Sequence, residues 1–144
     1  MAGATTTAEI QIDAMNAAFL AHWIAAGELA ANIAWDTEDF DTSAVTDFVR
    51  FGYNHETGEH AALGAGNSRF IRRFAIITAV IYVRKGELAS RRLALVEVVM
   101  DFLETVDVAG ISVENPGAQD NGVVNGWNQV NCTAESHYDL IRTA

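Results

Sequence analysis

Residues 69–84, RFIRRFAIITAVIYVR, form the longest β-pattern in the chain, and they decide its fold. The run Phe74–Val83 is apolar on both faces of a strand, which is typical of the centre of a sheet that is covered on both sides. The same run is about half of the ~20 residues that a transmembrane helix needs. We therefore expect a central strand over Arg69–Arg84 in a soluble protein.

A second strand is expected before the central one. Val45–Tyr53 is rich in β-forming residues, and Val45, Val49 and Phe51 fall on one face of it. The stretch Asn54–Ser68, which joins the two strands, holds three glycines, two histidines and little apolar content. Long connections in compact domains are usually functional or mobile, so we predict a protruding loop. The loop residues of interest are His55, Glu56, Gly58, Glu59, His60, Gly64 and Gly66.

Helical periodicity lies on either side of this strand pair. Ala8–Ala26 carries two adjacent apolar stripes, which predict a helix of roughly five turns with a wide apolar face. Thr7 is suited to the N-cap, and Gly27 to the end of the helix. The stripes are Ile10, Ala14, Ala17, Ala21 and Ile24 beside Ile12, Met15, Phe19, Trp23 and Ala26. A second helix is expected after Lys85-Gly86, ending near Glu104. Its stripe is Leu88, Leu95, Val96, Val99, Phe102 and Leu103.

Two more strands are predicted after the second helix. They cover about 108–114 and 123–141, and Asn115–Gly122 between them has the composition of a turn. The expected fold class is α+β, with the order α-β-β-α-β-β and the helices packed on a mostly antiparallel four-stranded sheet. We expect a single domain over residues 8–144, a disordered N-terminus over 1–7, and a connector over 28–44.

Charge is distributed unevenly along this chain of 144 residues, whose net charge is −10. Eight of the nine basic residues lie between Arg50 and Arg92, beside three acidic ones. Residues 1–49 hold eight acidic residues and no basic one, and residues 93–144 hold eight acidic residues and one arginine. The net charge argues against a general DNA-binding or membrane-surface protein. Segregated charge of both signs indicates self-assembly, or docking to repeated copies of a partner.

The arginines of the basic block have three interpretations. They form ion pairs with acidic helices of the same chain, or they pair with carboxylates of a neighbouring subunit, or, least favoured, they contact nucleic acid. The candidate subunit-interface residues are Arg50, Arg69, Arg72, Arg73, Arg84, Arg91 and Arg92.

Signals for catalysis and metal binding are weak. The cluster His55–His60 has the spacing H-x-x-x-E-H, which matches no standard zinc motif, and a glycine interrupts it. Asp36–Asp41 lacks the spacing of a calcium loop. The single cysteine, Cys132, excludes an internal disulfide and is expected in the core. We expect no enzyme activity, cofactor or metal. The alternative is a small ligand-binding or metal-dependent enzyme domain that uses His55, Glu59 and His60.

Three stretches carry a resemblance to a known family. They are Ile33-Ala-Trp35 with the phenylalanine at 40, Phe48-Val-Arg-Phe51, and Arg72-Arg-Phe-Ala75 followed by Gly86 and the helix 88–102. In these stretches, and in element order over about residues 8–141, the chain resembles the tail terminator proteins of long-tailed bacteriophages and of related gene transfer agents. Ala75 departs from the pattern, since the family usually has glycine there.

The resemblance implies a structural protein of the virion that is assembled in the host cytoplasm. Such proteins form a homo-hexameric ring on the tail tube, stop its polymerisation and present the surface that joins the head. The implied partners are further copies of the chain, the tail tube protein and a head–neck connector protein. Genome DNA passes through such a ring without being recognised by sequence. The resemblance implies no membrane partner. Another head–tail connector ring is the nearest alternative.

Overall fold

A computed structural model describes residues 7–36, 38–43, 45–63, 68–108 and 110–143. Within these ranges, the side chains of residues 7–8, 56–63, 68–71 and 139–143 lie outside the description. Of the predicted disordered N-terminus, 1–7, only Thr7 is among the described residues, and the first helix begins there. The predicted N-cap role of the Thr7 side chain also lies outside them.

The elements follow the predicted order, with one additional strand. They are α1 (Thr7–Ala25), a 3-10 turn (Ala30–Asn32), β1 (Ile33–Trp35), β2 (Asp47–Leu63), β3 (Ser68–Arg84), α2 (Ala89–Thr105), β4 (Ile111–Val124) and β5 (Trp127–Thr143). The domain is α+β, as predicted.

The sheet has five strands, in the order β1-β2-β3-β5-β4. The predicted count of four is wrong because β1 lies within the stretch that was expected to be a connector. β1 pairs with β2 in parallel, and its three residues are opposite Val49, Arg50 and Phe51. The other three pairings are antiparallel. Three residues are too few to show a strand periodicity, so tertiary pairing alone makes this segment a strand.

Both helices pack on one face of the sheet. Alternate β3 residues from Ala75 to Val83 are fully buried on this inner face. On the opposite face, Ile76 is 37% exposed and Val80 is half-buried. The prediction of a central strand that is covered on both sides is therefore wrong for the described structure. The strand does carry apolar residues on both faces, but neither helix packs on one of these faces.

The core under the helices is aromatic. The Phe19 ring stacks on Phe51 at a centroid distance of 4.2 Å and meets Phe102 edge-on at 5.1 Å, which joins α1, β2 and α2. Only one of the two predicted stripes of α1 is buried in this way, the one that contains Met15 and Trp23. The other stripe faces outward, where Ile10 is 52% exposed.

The segment that was predicted as a loop between β2 and β3 is mostly strand. The backbone of β2 continues to Leu63 and pairs with β3 as far as Arg69, so the two strands form a long hairpin. The pairing shifts register between His55 and Glu59, where β2 has the extra residues of a bulge. Glycine lowers strand propensity without preventing it, and a local antiparallel partner supplies the missing stabilisation. Gly64 and Gly66 lie outside the described residues.

The turn predicted at Asn115–Gly122 is also wrong, because these residues belong to β4. Register shifts between Glu114 and Gly117 and between Asp120 and Gly122 take up the turn-forming residues as bulges. The actual reversal is Asn125-Gly126, with positive φ angles of 52° and 83° at the two residues. A two-residue loop with positive φ at both positions is the hairpin turn that Asn-Gly favours.

Among the described residues, none of the helices combines the length and the apolar character that crossing a membrane requires.

Candidate subunit interface

The sheet face opposite the helices, here called the outer sheet face, shows three rows of side chains across the strands. The strand register places Arg50 beside Val80, Asn131 and Gln119 in the first row. The second row holds the small residues Gly52, Thr78, Thr133 and Gly117. The third row holds Asn54, Ile76, Glu135 and Glu114. The face is thus polar at its margins and shallow in the middle.

One end of the outer sheet face is closed by aromatic side chains. Phe40, from the connector after β1, stacks on Phe48 at 4.8 Å, and Phe48 stacks on Tyr82 at 4.6 Å. Trp127 meets Phe48 edge-on at 5.2 Å, and the Arg84 guanidinium carbon lies 4.4 Å from the Trp127 ring centroid. The connector therefore covers this end of the outer sheet face. The three rows beside it are not covered by the helices, which lie on the other face.

Arg50 is the basic residue of this face that the fold leaves available. Its side chain is half-buried, and it forms no ion pair or hydrogen bond with any other described residue. In the same row, the side-chain oxygen of Asn131 is buried and lacks a hydrogen-bond partner in the described structure. A buried polar atom without a partner costs free energy, so this row favours an additional polar contact.

Two carboxylates face each other at the opposite margin of the same face. Glu114 of β4 is directly opposite Glu135 of β5. Like charges in this position are destabilising. Asn115 Nδ2 donates a hydrogen bond of 3.0 Å to Glu135, and His137 Nδ1 lies 3.6 Å from Glu114. Both glutamates are exposed, and neither pairs with an arginine or a lysine among the described residues.

Arg91, in contrast, belongs to a network inside the subunit. Its guanidinium binds Glu28 with two nitrogens and Asp47 with two, including a bond of 2.9 Å from Nε to Asp47 Oδ2. Hydrogen bonds to these carboxylates raise the pKa of Arg91 further above its usual range. The network fixes the start of α2 to Glu28, which follows the end of α1, and to the start of β2.

Arg84 and Arg92 also make intramolecular contacts. Arg84 donates to the backbone oxygens of Thr42 and Val45 at 2.8 Å and 3.1 Å, which holds the connector against the sheet. Arg92 lies 3.4 Å from an oxygen of Asp120. For these two and for Arg91, the contacts favour the interpretation of pairing within the chain. Their assignment to a subunit interface stays a prediction.

The remaining arginines of the predicted set lie on the β2–β3 hairpin. Arg72 is exposed and Arg73 is half-buried, and both interact with other residues of the chain. The side chain of Arg69 lies outside the described residues, although its backbone pairs with Leu63. These three arginines therefore sit on the part of β3 that extends beyond the aromatic core.

His55 belongs to a polar cluster on the inner face at the base of the hairpin. Ser136 Oγ donates a hydrogen bond of 3.0 Å to Tyr53 Oη, and the His55 ring lies 5.0 Å from Tyr53 and 5.5 Å from Tyr138. His55 Nε2 and Tyr138 Oη are buried without a hydrogen-bond partner among the described residues. Burial, and then the charge of Arg73, lower the pKa of His55.

The structure does not assemble the predicted alternative site from described side chains. The side chains of Glu56, Glu59 and His60 lie outside the described residues, and Gly58 is described only as part of the β2 backbone. Among the side chains that are described, no group of three or more histidines, cysteines and acids lies close enough to hold a metal.

In the acidic connector, Asp41 accepts hydrogen bonds from Ser43, which lower the pKa of Asp41.

Arg50 is among the interface residues predicted from the sequence, whereas the residues at the other margin of the face are not. Glu114 falls at the end of the predicted strand 108–114 and Asn115 at the start of the predicted turn, and no role is predicted for Glu135. The signal for the glutamate pair is the register of β4 against β5, which no local pattern contains.

None of the protein-family models compared with this chain matches it, and no curated protein matches it. Among the solved structures that are similar in fold is one that is named only by a sequence identifier. Its TM-score is 0.52, with 14% sequence identity over 89% of this chain and 95% of that chain. At this identity the similarity concerns the fold alone.

Proposed function

We propose that the protein is a structural virion protein of the tail terminator type, which caps a tail tube as a ring of identical subunits. The observation that carries the proposal is the charge layout of the outer sheet face. Arg50 without an ion-pair partner among the described residues lies at one margin, and the facing pair Glu114 and Glu135 lies at the other. The resemblance of the sequence to the terminator family supplies the biological role.

A ring requires two different, complementary patches on every subunit, because each copy contacts the next one head-to-tail. In the proposed ring the sheets of neighbouring copies meet edge to edge, so that the β1–β2 margin of one copy, with Arg50, lies beside the β4 margin of the next, with Glu114 and Glu135. The arginine fork can bind both carboxylates and relieve their repulsion. A charge that is left unpaired in the monomer thereby gains a partner in the assembly.

The β2–β3 hairpin is the proposed contact with the tail tube. It extends beyond the helix-covered part of the sheet, and its described cationic side chains include Arg72 and Arg73. In the proposed assembly the head–neck connector binds the opposite side of the ring, and genome DNA passes through its centre.

Assembly measurements test this function. Light scattering after size-exclusion chromatography gives the mass of the protein alone and mixed with its tail tube protein, and negative-stain images show whether rings cap the tube ends. We expect Arg50→Glu and Glu135→Arg each to abolish ring formation. Combining both changes in one chain restores it, because the reversed charges meet again across the interface.

Lys85→Glu is the matched control, since it reverses an exposed charge in the turn after β3. It should leave assembly unchanged. A wild-type chain that stays monomeric with the tube protein and leaves tube length unrestricted contradicts the proposal. Rings that form without any effect on tube growth favour the alternative of another head–tail connector ring.

A further inference from the structure

The edge of β2 that faces away from β3 is covered only in part. β1 pairs with Val49, Arg50 and Phe51 and then ends. After β1, the Glu38 N–H donates a hydrogen bond of 3.1 Å to the Trp35 carbonyl, and the connector then packs Phe40 on Phe48 at the outer sheet face. Beyond Phe51, no described strand pairs with this edge, although β2 continues for twelve more residues to position 63.

The backbone of Tyr53 points toward this open edge. The carbonyl of Phe51 accepts a hydrogen bond of 2.9 Å from the N–H of Asp36, so the backbone groups of Phe51 face the β1 side. Residues two apart along a strand present their backbone groups to the same side, and Tyr53 therefore does so too. A strand in line with β1 would meet the next donor and acceptor of the ladder here.

A cleft of about 460 Å³ lies along this part of the edge. Its size falls in the range of ligand-binding clefts. Ile12 and Asn16 of α1 form one wall, and Trp35 and Tyr53 contribute aromatic surface. The cleft thus combines an unpaired strand edge with an apolar wall, which are the two features that a domain needs to bind an added strand.

The charged side chains that line the cleft, Asp36 and Glu38, are both acidic. Neither forms an ion pair with a described residue. The Asp36 carboxylate lies over Gly52, since a Cβ at that position would be only 2.8 Å from Asp36 Oδ2. By the alternation of side chains, this places the carboxylate on the outer sheet face, whereas Ile12 lies on the helix side.

We propose that this cleft binds an extended segment of another protein, which adds to β2 in line with β1. Successive side chains of the added strand point to opposite sides. The segment therefore alternates apolar residues, which face α1, with lysine or arginine, which faces Asp36 and Glu38. This binding site does not depend on the ring function proposed above.

A second copy of the chain is a poor occupant of the cleft because of its own free edge. β4 contains Pro116 and two register shifts, which interrupt the regular row of donors and acceptors that strand addition needs. It also carries Glu114 and Asp120, whose charge has the same sign as that of the cleft. The proposed occupant is therefore a basic strand of a different protein.

Fluorescence anisotropy with a synthetic peptide tests the proposal. The probe is a nine-residue peptide of alternating valine and lysine, blocked at both ends and labelled with fluorescein. We expect saturable one-to-one binding at about 0.15 M salt. A peptide with glutamate in place of lysine, and a lysine peptide with N-methylated alternate amides, should each bind at least about tenfold more weakly.

Protein variants locate the peptide. Asp36→Asn with Glu38→Gln should weaken binding about tenfold, whereas the control pair Asp39→Asn with Glu87→Gln removes two exposed carboxylates outside the cleft lining and should leave it unchanged. The peptide should also slow hydrogen exchange of the Tyr53 amide. The proposal is wrong if the lysine peptide does not bind, if N-methylation has no effect, if both variant pairs behave alike, or if Tyr53 exchange is unchanged.

Discussion

Replacing Arg91 tests how much of the basic block serves the fold of the subunit itself. Arg91→Met keeps a side chain of similar length and removes the guanidinium that binds Glu28 and Asp47. The two carboxylates that remain are 13% and 9% exposed, so water reaches them poorly and each loses its cation. The variant should therefore be clearly less stable than the wild type.

The expected loss follows from the exposure of the three side chains. Removing one partner of a fully buried ion pair costs about 3–5 kcal/mol. The Arg91 side chain is itself 34% exposed, which lets water replace part of the interaction. After this discount we expect a loss of about 2–3 kcal/mol in the free energy of unfolding. For a domain of this size, that lowers the melting temperature by roughly 5–10 °C.

Urea denaturation followed by far-ultraviolet circular dichroism measures the change. Lys85→Met is the control, because Lys85 is exposed, and its effect should stay within about 0.5 kcal/mol. Adding Glu28→Gln and Asp47→Asn to Arg91→Met should recover at least half of the loss, since no uncompensated charge remains. If Arg91→Met is as stable as the control, the network does not stabilise the subunit. Loss of assembly in that stable variant would assign Arg91 to an interface instead.

Three further outcomes are expected. Burial raises the pKa of Cys132 to about 11, so a thiol reagent at pH 8 should label this residue only on unfolding, and rapid labelling of the native protein would contradict this. The free energy of unfolding should also fall as pH rises from about 9 toward 11, because the unfolded state releases the thiol proton first. Gly52→Ala should cost about 1–3 kcal/mol, because its Cβ meets the Asp36 carboxylate at 2.8 Å, and Asp36→Ala in the same chain should reduce that cost. Because the pKa of His55 is lowered, the folded state binds the imidazole proton less readily than the unfolded state does. The free energy of unfolding should therefore decline as pH falls below about 6.5, and urea titrations of His55→Phe should show a weaker decline over that range.

The sequence predicts the long elements well where one periodicity dominates. The central strand, expected over Arg69–Arg84, is Ser68–Arg84, and the first helix, expected over Ala8–Ala26, is Thr7–Ala25. In both, many residues contribute to one pattern. The second helix begins after Gly86, where φ is 101°, a value that glycine adopts without strain.

Turn-forming residues are compatible with more than one structure. The region Asn115–Gly122 contains asparagine, proline and glycine, which are as typical of β-bulges as of turns. Asn115 has a positive φ of 53°, yet it stays within β4 because β5 pairs on both sides of it. The shorter signal, Asn125-Gly126, is the one at which the chain reverses. Composition alone does not distinguish these cases, since the pairing partner decides between them.

The charge block illustrates the limit of sequence reasoning about the site. Arginines of the same block have different roles, because Arg91 binds two carboxylates from distant segments, whereas Arg50 lies on the sheet face that the helices leave uncovered. Position along the chain identifies the block as basic. Which member faces inward depends on the strand register and on where the helices lie.

The position of β5 has a consequence for folding during synthesis. β5 follows β4 in sequence but lies between β3 and β4 in the sheet. When the ribosome has released residues up to β4, the hairpin β2–β3 can already form, whereas β3 lacks its second partner and β4 lacks the one strand with which it pairs. A nascent chain adds only about 5–20 residues per second, so the edge of the most apolar strand stays exposed on that timescale. Chains that are released before Trp127 should therefore aggregate or be degraded, and the domain completes its folding only after β5 has emerged.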